Sequence, residues 1–319
     1  MRHNLPPIAE DPLPMTEPVD HRAFVASLSP EQRRALTRTS NRAGLMHLAG
    51  HLGVIVVLAV LVLARVPLWW LLLLPLGVAQ VMLFTLNHEA IHRTAFASRW
   101  LNDLIARVCG VLLVLPPEWF RFFHFEHHRY TQDPERDPEL GGSAPETRWQ
   151  YIRHVSGIPL WIASARVVLS NAFASPKDPF VPKSGRAKVR REARILVALY
   201  AALLTLSVVL QSAVLLWLWV VPMLLGQPFL RLYLMAEHGR CAFVANMFEN
   251  SRTTFTGPVI RFFAWNMPFH AEHHAFPTVP FHQLPTLHAL TAPLLRETSA
   301  GYGAFTAETV RALDRKPTA

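Results

Sequence analysis

The chain has 319 residues, of which 51% are hydrophobic and only 17% are charged. Soluble globular domains carry about 25% charged residues, so this composition favours an integral membrane protein. The two cysteines, Cys109 and Cys241, support neither a disulfide framework nor a Cys-x-x-Cys metal site. The formal net charge of +9 has to be judged from where the basic residues lie.

The first 44 residues predict a cytoplasmic tail that ends in an interfacial helix. Residues 1–42 are polar and lack the apolar core of a signal peptide, and residues 1–20 are rich in proline. We expect residues 1–20 to form a disordered tail. Pro30 is typical of a helix start, and the basic stretch over 30–42 predicts a short helix at the membrane surface.

Four apolar stretches predict transmembrane helices, at about residues 45–64, 68–87, 195–210 and 213–235. The first two have the length that spans a hydrocarbon core, roughly 20 residues. Short turns, Arg65-Val66-Pro67 and Gln211-Ser212, separate the members of each pair. We therefore expect two helical hairpins.

The segments around these hairpins are too short or too polar to span. Residues 108–115 are apolar, but Pro116-Pro117 ends the run, which predicts a re-entrant or interfacial segment. Residues 129–150 predict a polar loop, and residues 151–173 predict an amphipathic stretch on the membrane surface. We expect the membrane domain to cover 45–290, followed by a cytoplasmic tail over 291–319.

The basic residues are concentrated on one side of this topology. They crowd the segments at 22–42, 93–136, 177–194 and 231–261, whereas the two outer turns carry only Arg65. By the positive-inside rule the basic side is cytoplasmic. The predicted fold is an all-α integral membrane protein with four transmembrane helices in two hairpins and a cytoplasmic helical cap. Juxtamembrane residues facing anionic lipid then explain the charge, and nucleic acid is not an expected partner.

Three histidine clusters fall on that cytoplasmic side. In each cluster the spacing of three or four residues places histidines on one face of a helix. The clusters are His88 and His92; His124, His127 and His128; and His270, His273 and His274. Eight imidazoles are too many for one ion, because a catalytic zinc takes three protein ligands, so the count predicts two metals side by side. Imidazole suits iron, copper, zinc and nickel, and a redox pair near lipid suggests oxygen activation on an apolar substrate.

The order and context of these clusters resemble the bacterial branch of the membrane fatty acid desaturase family. The resemblance covers about residues 45–290 and rests on three stretches. They are Asn87-His88-Glu89-Ala90-Ile91-His92-Arg93; Phe123-His124-Phe125-Glu126-His127-His128-Arg129-Tyr130-Thr131, followed by Asp137-Pro138-Glu139; and Asn266-Met267-Pro268-Phe269-His270-Ala271-Glu272-His273-His274-Ala275-Phe276-Pro277. It implies an O2-dependent enzyme in which these eight histidines hold two iron ions. Such an enzyme introduces a carbon–carbon double bond into an acyl lipid or acyl thioester. The expected location is a bacterial inner membrane, with the active site on its cytoplasmic side.

The resemblance implies further site residues and a partner. The family often has another metal-binding histidine after the last span, and His238 stands in that position. Some members place an asparagine four residues before it, which holds a metal-bound water. Here Leu234 occupies that position, and Asn266 is a candidate substitute. No fused heme domain is visible, so an external donor, a ferredoxin or similar carrier, is implied. We expect it to dock on cytoplasmic basic residues such as Arg190 and Arg191.

Other polar residues near the clusters allow two interpretations. Acidic neighbours can orient the imidazoles through their second ring nitrogen, or they can be solvated loop charges. They are Glu89, Glu126, Asp133, Asp137, Glu237 and Glu272. The pair His47 and His51 lies inside the first span, where we expect it to face headgroups or other helices rather than a metal. His154, His282 and His288 are predicted to be surface or capping residues.

Two other functions stay open. A hydroxylase or ketolase of the same superfamily, acting on a carotenoid, an alkane or another lipid, begins with the same hydrogen abstraction. The histidine clusters cannot separate it from a desaturase, although the loop after the second cluster and the stretch from Asn266 to His270 favour the desaturase branch. A metal-handling membrane protein would need polar residues along a path inside the spans, and spans two to four have almost none.

Overall fold

The computed structural model describes residues 20–142 and 144–314. The tail predicted over residues 1–20 lies outside them, apart from Asp20. The described chain is mostly helical. Its first nine α-helices are α1 (His21–Ser27), α2 (Pro30–Leu36), α3 (Asn41–Leu63), α4 (Leu73–Val81), α5 (Leu83–His92), α6 (Arg99–Leu113), α7 (Pro117–Tyr130), α8 (Arg148–Val155) and α9 (Ile158–Phe173).

The second half of the described chain adds seven more α-helices. They are α10 (Arg186–Val209), α11 (Val221–His238), α12 (Met247–Asn250), α13 (Pro258–Phe263), α14 (His270–Ala275), α15 (Leu284–Thr291) and α16 (Tyr302–Asp314). Shorter elements are the 3-10 turns Trp69–Leu72, Pro138–Gly141 and Ala292–Leu294, the π-helix Leu216–Val220, and the strands β1 (Thr253–Thr254) and β2 (Thr298–Ser299). The two strands pair in parallel.

Among the described residues, four helical segments are long and apolar enough to cross a membrane. They are Pro30–Leu63, Trp69–His92, Arg186–Val209 and Leu216–His238. Each overlaps one predicted span, but the second runs five residues further than the predicted end at residue 87. His88 and His92 therefore lie inside α5 rather than beyond it. Residues 88–92 contain neither glycine nor proline, so the helix continues to His92, and Arg93 follows it in the left-handed conformation with φ 64°.

The break predicted at Pro116-Pro117 separates α6 from α7. The two helices meet at an angle of 99°. Val114 ends α6 with a φ of 54°, and Pro117 occupies the first turn of α7, where its missing N–H costs nothing. The bend turns α7, which carries the second histidine cluster, away from the direction of α6.

Helices α4 and α11 form the closest helix pair of the membrane region. A Cβ atom on Gly77 would lie 1.9 Å from the carbonyl oxygen of Pro222, and one on Gly226 would lie 2.3 Å from the carbonyl oxygen of Gly77. The two backbones touch at these glycines, as small residues allow in membrane helices. This contact sets the position of α11, and of His238 at its end, relative to α4 and the adjoining α5.

Helices α3 and α10 present apolar surface to the outside. Several of their side chains are more than half exposed: Val56, Val57, Val60, Leu204, Val208 and Val209. α10 packs mainly against α9. Exposed apolar area on this scale is typical of contact with lipid. The chain is accordingly a membrane protein.

Short helices and strands pack together in a second region, beyond the ends of the long apolar helices. Helix α14 contacts α12, α15 and β1, and α1 packs against it. A buried core that includes Phe24, Phe248, Met267 and Leu284 joins these parts. α16, which lies in the predicted C-terminal tail, packs on α11. These contacts bring the N-terminal helix α1 next to the third histidine cluster.

Candidate metal centre

Nine histidines meet in one buried region where the ends of α5 and α11 approach α7 and α14. They are the eight cluster histidines and His238: His88, His92, His124, His127, His128, His238, His270, His273 and His274. Neighbouring rings lie 4.0–6.4 Å apart between centroids. The structure therefore brings together every residue that the sequence predicted as a metal ligand, from four helices.

The five-histidine group consists of His88, His92, His124, His128 and His273, whose nearest ring nitrogens all lie within 4.8 Å of one another. Nε2 of His124 is 2.9 Å from Nε2 of His92 and 2.9 Å from Nε2 of His128. Two nitrogens bound at right angles to one ion, each at about 2.1 Å, would be about 3.0 Å apart. The spacing therefore fits nitrogens that share an ion.

The four-histidine group consists of His127, His238 and His274, whose ring nitrogens also lie within 4.8 Å of one another, together with His270. Nε2 of His238 is 2.9 Å from Nε2 of His270 and 3.2 Å from Nε2 of His127. The rings of His128 and His274 stack at 4.0 Å, so the two groups adjoin. The arrangement offers two neighbouring sites for ions.

The chemistry of these nitrogens fits a metal. Both ring nitrogens of His88 and His273, and Nε2 of His274, are buried without a hydrogen-bond partner in the described chain. Such unpaired buried groups cost about 1–3 kcal/mol each and are rare. Burial, followed by the charges of neighbouring histidines, holds the pKa of His273 and His274 well below the ordinary value. The imidazoles are then neutral, which is the form that binds metals.

Three imidazoles of the four-histidine group are oriented by protein partners of their outer nitrogen. Those contacts join Nδ1 of His127 to Asp137 Oδ1 at 2.9 Å, Nδ1 of His238 to the Asn250 carbonyl at 3.1 Å, and Nδ1 of His274 to the Thr131 hydroxyl at 3.2 Å. Such contacts fix ring orientation and leave Nε2 free for a metal. Sequence reasoning gave no role to Thr131, although the family-like stretch at 123–131 includes it. It missed Asn250, because nothing in the local pattern distinguishes that residue from other polar loop residues.

Asp137 is held as a carboxylate in the interior. Burial would raise its pKa, but the hydrogen bond from His127 and the charge on that ring lower it. The backbone amides of Gln132 and Glu139 also donate to its oxygens, at 2.8 and 2.9 Å. The net result is a pKa below the ordinary value. The Asp137 carboxylate therefore accepts a hydrogen bond from Nδ1–H of His127.

The other five acidic candidates make different contacts. Glu237 lies 3.3 Å from Nδ1 of His270 but outside hydrogen-bond geometry. Glu89 accepts hydrogen bonds from the Thr94 hydroxyl and from the amide of Phe281. Glu272 contacts Thr253 and His288. Glu126 forms an ion pair with Arg129, and Asp133 forms one with Arg136. In the part of the chain that the structure describes, Asp137 is the one of the six that hydrogen-bonds a cluster histidine. A further carboxylate that sequence reasoning missed, Glu139, lies 3.7 Å from Nε2 of His127.

Asn266 does not reach the candidate metal centre. Its amide donates to the carbonyl of Phe281 at 3.1 Å, and its oxygen accepts from Arg261 at 3.3 Å. No hydrogen bond joins it to a cluster histidine among residues 20–142 and 144–314. The suggestion that Asn266 replaces the asparagine missing at Leu234 is therefore wrong.

His47 and His51 serve helix packing. Nε2 of His51 lies 2.8 Å from the Ala79 carbonyl, and its Nδ1 accepts from Trp265 at 3.2 Å. Nε2 of His47 lies 2.7 Å from the Phe262 carbonyl. The two side chains connect α3 to α4 and to the segment around α13, away from both histidine groups.

Comparison with known proteins agrees with this geometry. The profile of the family described as "Fatty acid desaturase" matches residues 65–306. An sn-1 oleoyl-lipid 12-desaturase from Picosynechococcus is 30% identical over 106 residues, which are 30% of this chain and 30% of that protein. An sn-1 oleoyl-lipid 12-desaturase from Anabaena variabilis is 28% identical over 102 residues, which are 30% of this chain and 28% of that protein. An sn-1 acyl-lipid omega-3 desaturase (ferredoxin) from Nostoc is 29% identical over 85 residues, which are 27% of this chain and 22% of that protein. The matched segments span less than a third of each of these relatives.

Proposed function

Because this chain belongs to the fatty acid desaturase family, we propose that it is an O2-dependent di-iron enzyme that introduces a double bond into the acyl chain of a lipid. The observation that carries the proposal is the convergence of nine histidines into two adjoining groups, in which ring nitrogens of His88, His273 and His274 are buried without a hydrogen-bond partner among the described residues. An acyl thioester is the other substrate form. The relatives named as acyl-lipid desaturases favour an intact lipid.

The nine histidines divide between two irons in this proposal. His88, His92, His124, His128 and His273 would hold one ion, and His127, His238, His270 and His274 the other. Bound there, the irons would supply the activation of O2 that no amino-acid side chain provides. Neutral imidazoles suit iron and add no negative charge to the site.

The protein contributes orientation and exclusion of water. Asp137 holds the proton of His127 Nδ1, so that Nε2 of this ring keeps its lone pair directed inward. Asn250 and Thr131 do the same for His238 and His274. His273 and His88 are at most 3% exposed, so these two rings are shielded from bulk water.

The overall reaction balances with two external electrons. The alkyl segment R–CH2–CH2–R′, O2, two electrons and two protons give R–CH=CH–R′ and two water molecules. The substrate gives two electrons to O2, and a carrier protein gives the other two. The Nostoc relative, whose name contains ferredoxin, supports a donor of that class.

The membrane arrangement belongs to the same proposal. Two hairpins of transmembrane helices would cross a bacterial inner membrane, and the histidine-bearing cap would lie in the cytoplasm. The domain would cover residues 45–290, with cytoplasmic tails over 1–44 and 291–319. The distribution of arginine and lysine supports this orientation.

Lipid analysis after expression tests the proposed function. The chain and its His273→Ala variant are expressed in a bacterial host, and acyl chains are analysed by mass spectrometry. A new double bond with the unmodified chain alone is the expected result. A new hydroxyl or keto group instead would identify the hydroxylase or ketolase, and metal efflux without any lipid change would refute an enzyme of either kind.

A further inference from the structure

An open cleft leads from the surface to the candidate metal centre. It lies between α1, α7 and the C-terminal part of α14, and its volume is about 690 Å³. His128 and His274 both line it, and they belong to different histidine groups. The cleft thus gives a molecule at the surface access to one histidine of each histidine group.

The cleft is positively charged. Arg22, Arg33 and Arg129 line it, and none of its described lining residues is acidic. Arg129 is 69% exposed, with its nearest carboxylate, on Glu126, 3.8 Å away. Arg33 donates to the carbonyls at the end of α1, which fixes its charge in the cleft wall. This surface attracts an acidic partner and orients it toward the histidines.

An exposed aromatic ring lies in the same cleft. Phe125 is 44% exposed, and its ring lies 5.3 Å from the ring of His92, between centroids. Phe125 lies between His124 and Glu126 on α7, the helix that carries the second histidine cluster. An exposed aromatic side chain among arginines is typical of a protein interface.

We infer that this cleft is the docking site for an acidic electron-transfer protein of the ferredoxin class. The inference rests on the proposed function and names the partner of the same centre. Reduction of O2 to two waters takes four electrons, of which the C–H bonds of the substrate supply two. A one-electron carrier therefore docks twice in each turnover. Its electrons enter beside Phe125, His128 and His274, and it leaves oxidised.

The cleft differs from the docking surface that the sequence predicted. Arg190 and Arg191 lie on α10, and neither lines the cleft. Arg190 donates to Ser175 Oγ at 2.6 Å. Arg191 is exposed and carries the same charge as Arg22, so it offers a matched control for a change in charge alone.

Steady-state kinetics with a purified acidic [2Fe–2S] ferredoxin test the docking site. The iron-loaded protein is placed in lipid nanodiscs as the unmodified chain, as Arg22→Glu, as the double variant Arg22→Glu/Arg129→Glu, and as Arg191→Glu. We expect the double variant to raise the KM for ferredoxin at least about tenfold and to weaken its dependence on salt. Arg191→Glu should stay within about twofold of the unmodified chain. An equal effect of Arg191→Glu, or no effect of the double variant, would overturn the inference.

A single-turnover experiment separates docking from chemistry. Each protein is reduced chemically without oxygen, freed from reductant, and then mixed with O2 and substrate. We expect the same yield of desaturated product per iron in all four proteins. A loss of yield in the double variant would mean that these arginines support the metal centre, and the docking site would be refuted. Absence of product from the unmodified chain would refute the proposed function instead.

Discussion

Each candidate ligand carries two ring nitrogens with different tasks. In the four-histidine group, Nε2 faces the other histidines while Nδ1 of His127, His238 and His274 meets an oxygen of the protein. In the five-histidine group, Nδ1 of His124, His128 and His273 has no such partner among the described residues. Oxygen atoms of the protein thus orient three rings of the four-histidine group through their outer nitrogens.

Substitution at Asp137 should weaken the metal centre without unfolding the chain. In Asp137→Asn the neutral amide no longer stabilises the proton on His127 Nδ1, so the ring loses basicity and orientation. Loss of such a partner lowers metal affinity or activity about 10–100-fold. Iron titration and product yield measure the effect. Asp133→Asn, which changes a surface partner of Arg136, is the control and should leave both quantities unchanged.

Removal of His238 should empty one site and spare the other. His238→Ala takes away the ring whose Nε2 lies 2.9 Å from His270, whereas the five-histidine group lacks any member from α11. We expect the iron content to fall from about two to about one per chain, with loss of desaturation. Metal analysis by mass spectrometry measures the content. His282→Ala should keep both irons, and an unchanged content in His238→Ala would contradict the proposed division.

At the scale of elements, the glycine contact between α4 and α11 decides where His238 lies. The carbonyl of Pro222 occupies the space that a side chain at position 77 would need. The sequence predicted both spans but not this pairing, because an isolated glycine in an apolar helix does not indicate which helix it will contact. Helix pairing depends on complementary surfaces across the molecule.

Gly77→Ala should destabilise the membrane region. The added methyl group would lie 1.9 Å from a backbone oxygen, so the two helices must move apart. Overpacking of this kind costs typically about 1–3 kcal/mol. Thermal unfolding in detergent, followed by tryptophan fluorescence, should show a lower Tm. Gly53→Ala on α3 is the matched control, since nothing lies within 4 Å of its added carbon, and its Tm should not fall.

At the scale of the whole molecule, the histidine groups connect distant parts of the chain. The ligands of the five-histidine group come from α5, α7 and α14, and those of the four-histidine group from α7, α11 and α14. A metal that binds only the folded state stabilises that state, by an amount that grows with the logarithm of the metal concentration divided by its Kd. Metal ions bound at these histidines would therefore link the long helices α5 and α11 to α7 and to the short helix α14.

Removal of metal should lower the stability of the entire protein. A ligand present at 100 times its Kd stabilises the folded state by about 2.7 kcal/mol. We expect a chelator to reduce the Tm of the iron-loaded chain and added Fe²⁺ to restore it, as differential scanning fluorimetry would measure. His273→Ala should respond less to the chelator. A Tm that chelation leaves unchanged would mean that the histidines do not connect the fold through a metal.

The sequence by itself determined the four apolar segments that can span a membrane and the spacing of the histidines on each helix face. These are local properties, since helix period and span length follow from neighbouring residues. Sequence also predicted Asp137 as one of six acidic candidates. It wrongly offered Asn266, whose amide is used in bonds to Phe281 and Arg261.

The tertiary structure alone decided how nine imidazoles divide into a group of five and a group of four. That division depends on distances between residues up to 185 positions apart, such as His88 and His273. It also decided that Thr131 and Asn250 orient two rings, and that α1 forms one wall of a basic cleft beside them. Such contacts arise from packing between elements, which local periodicity does not encode.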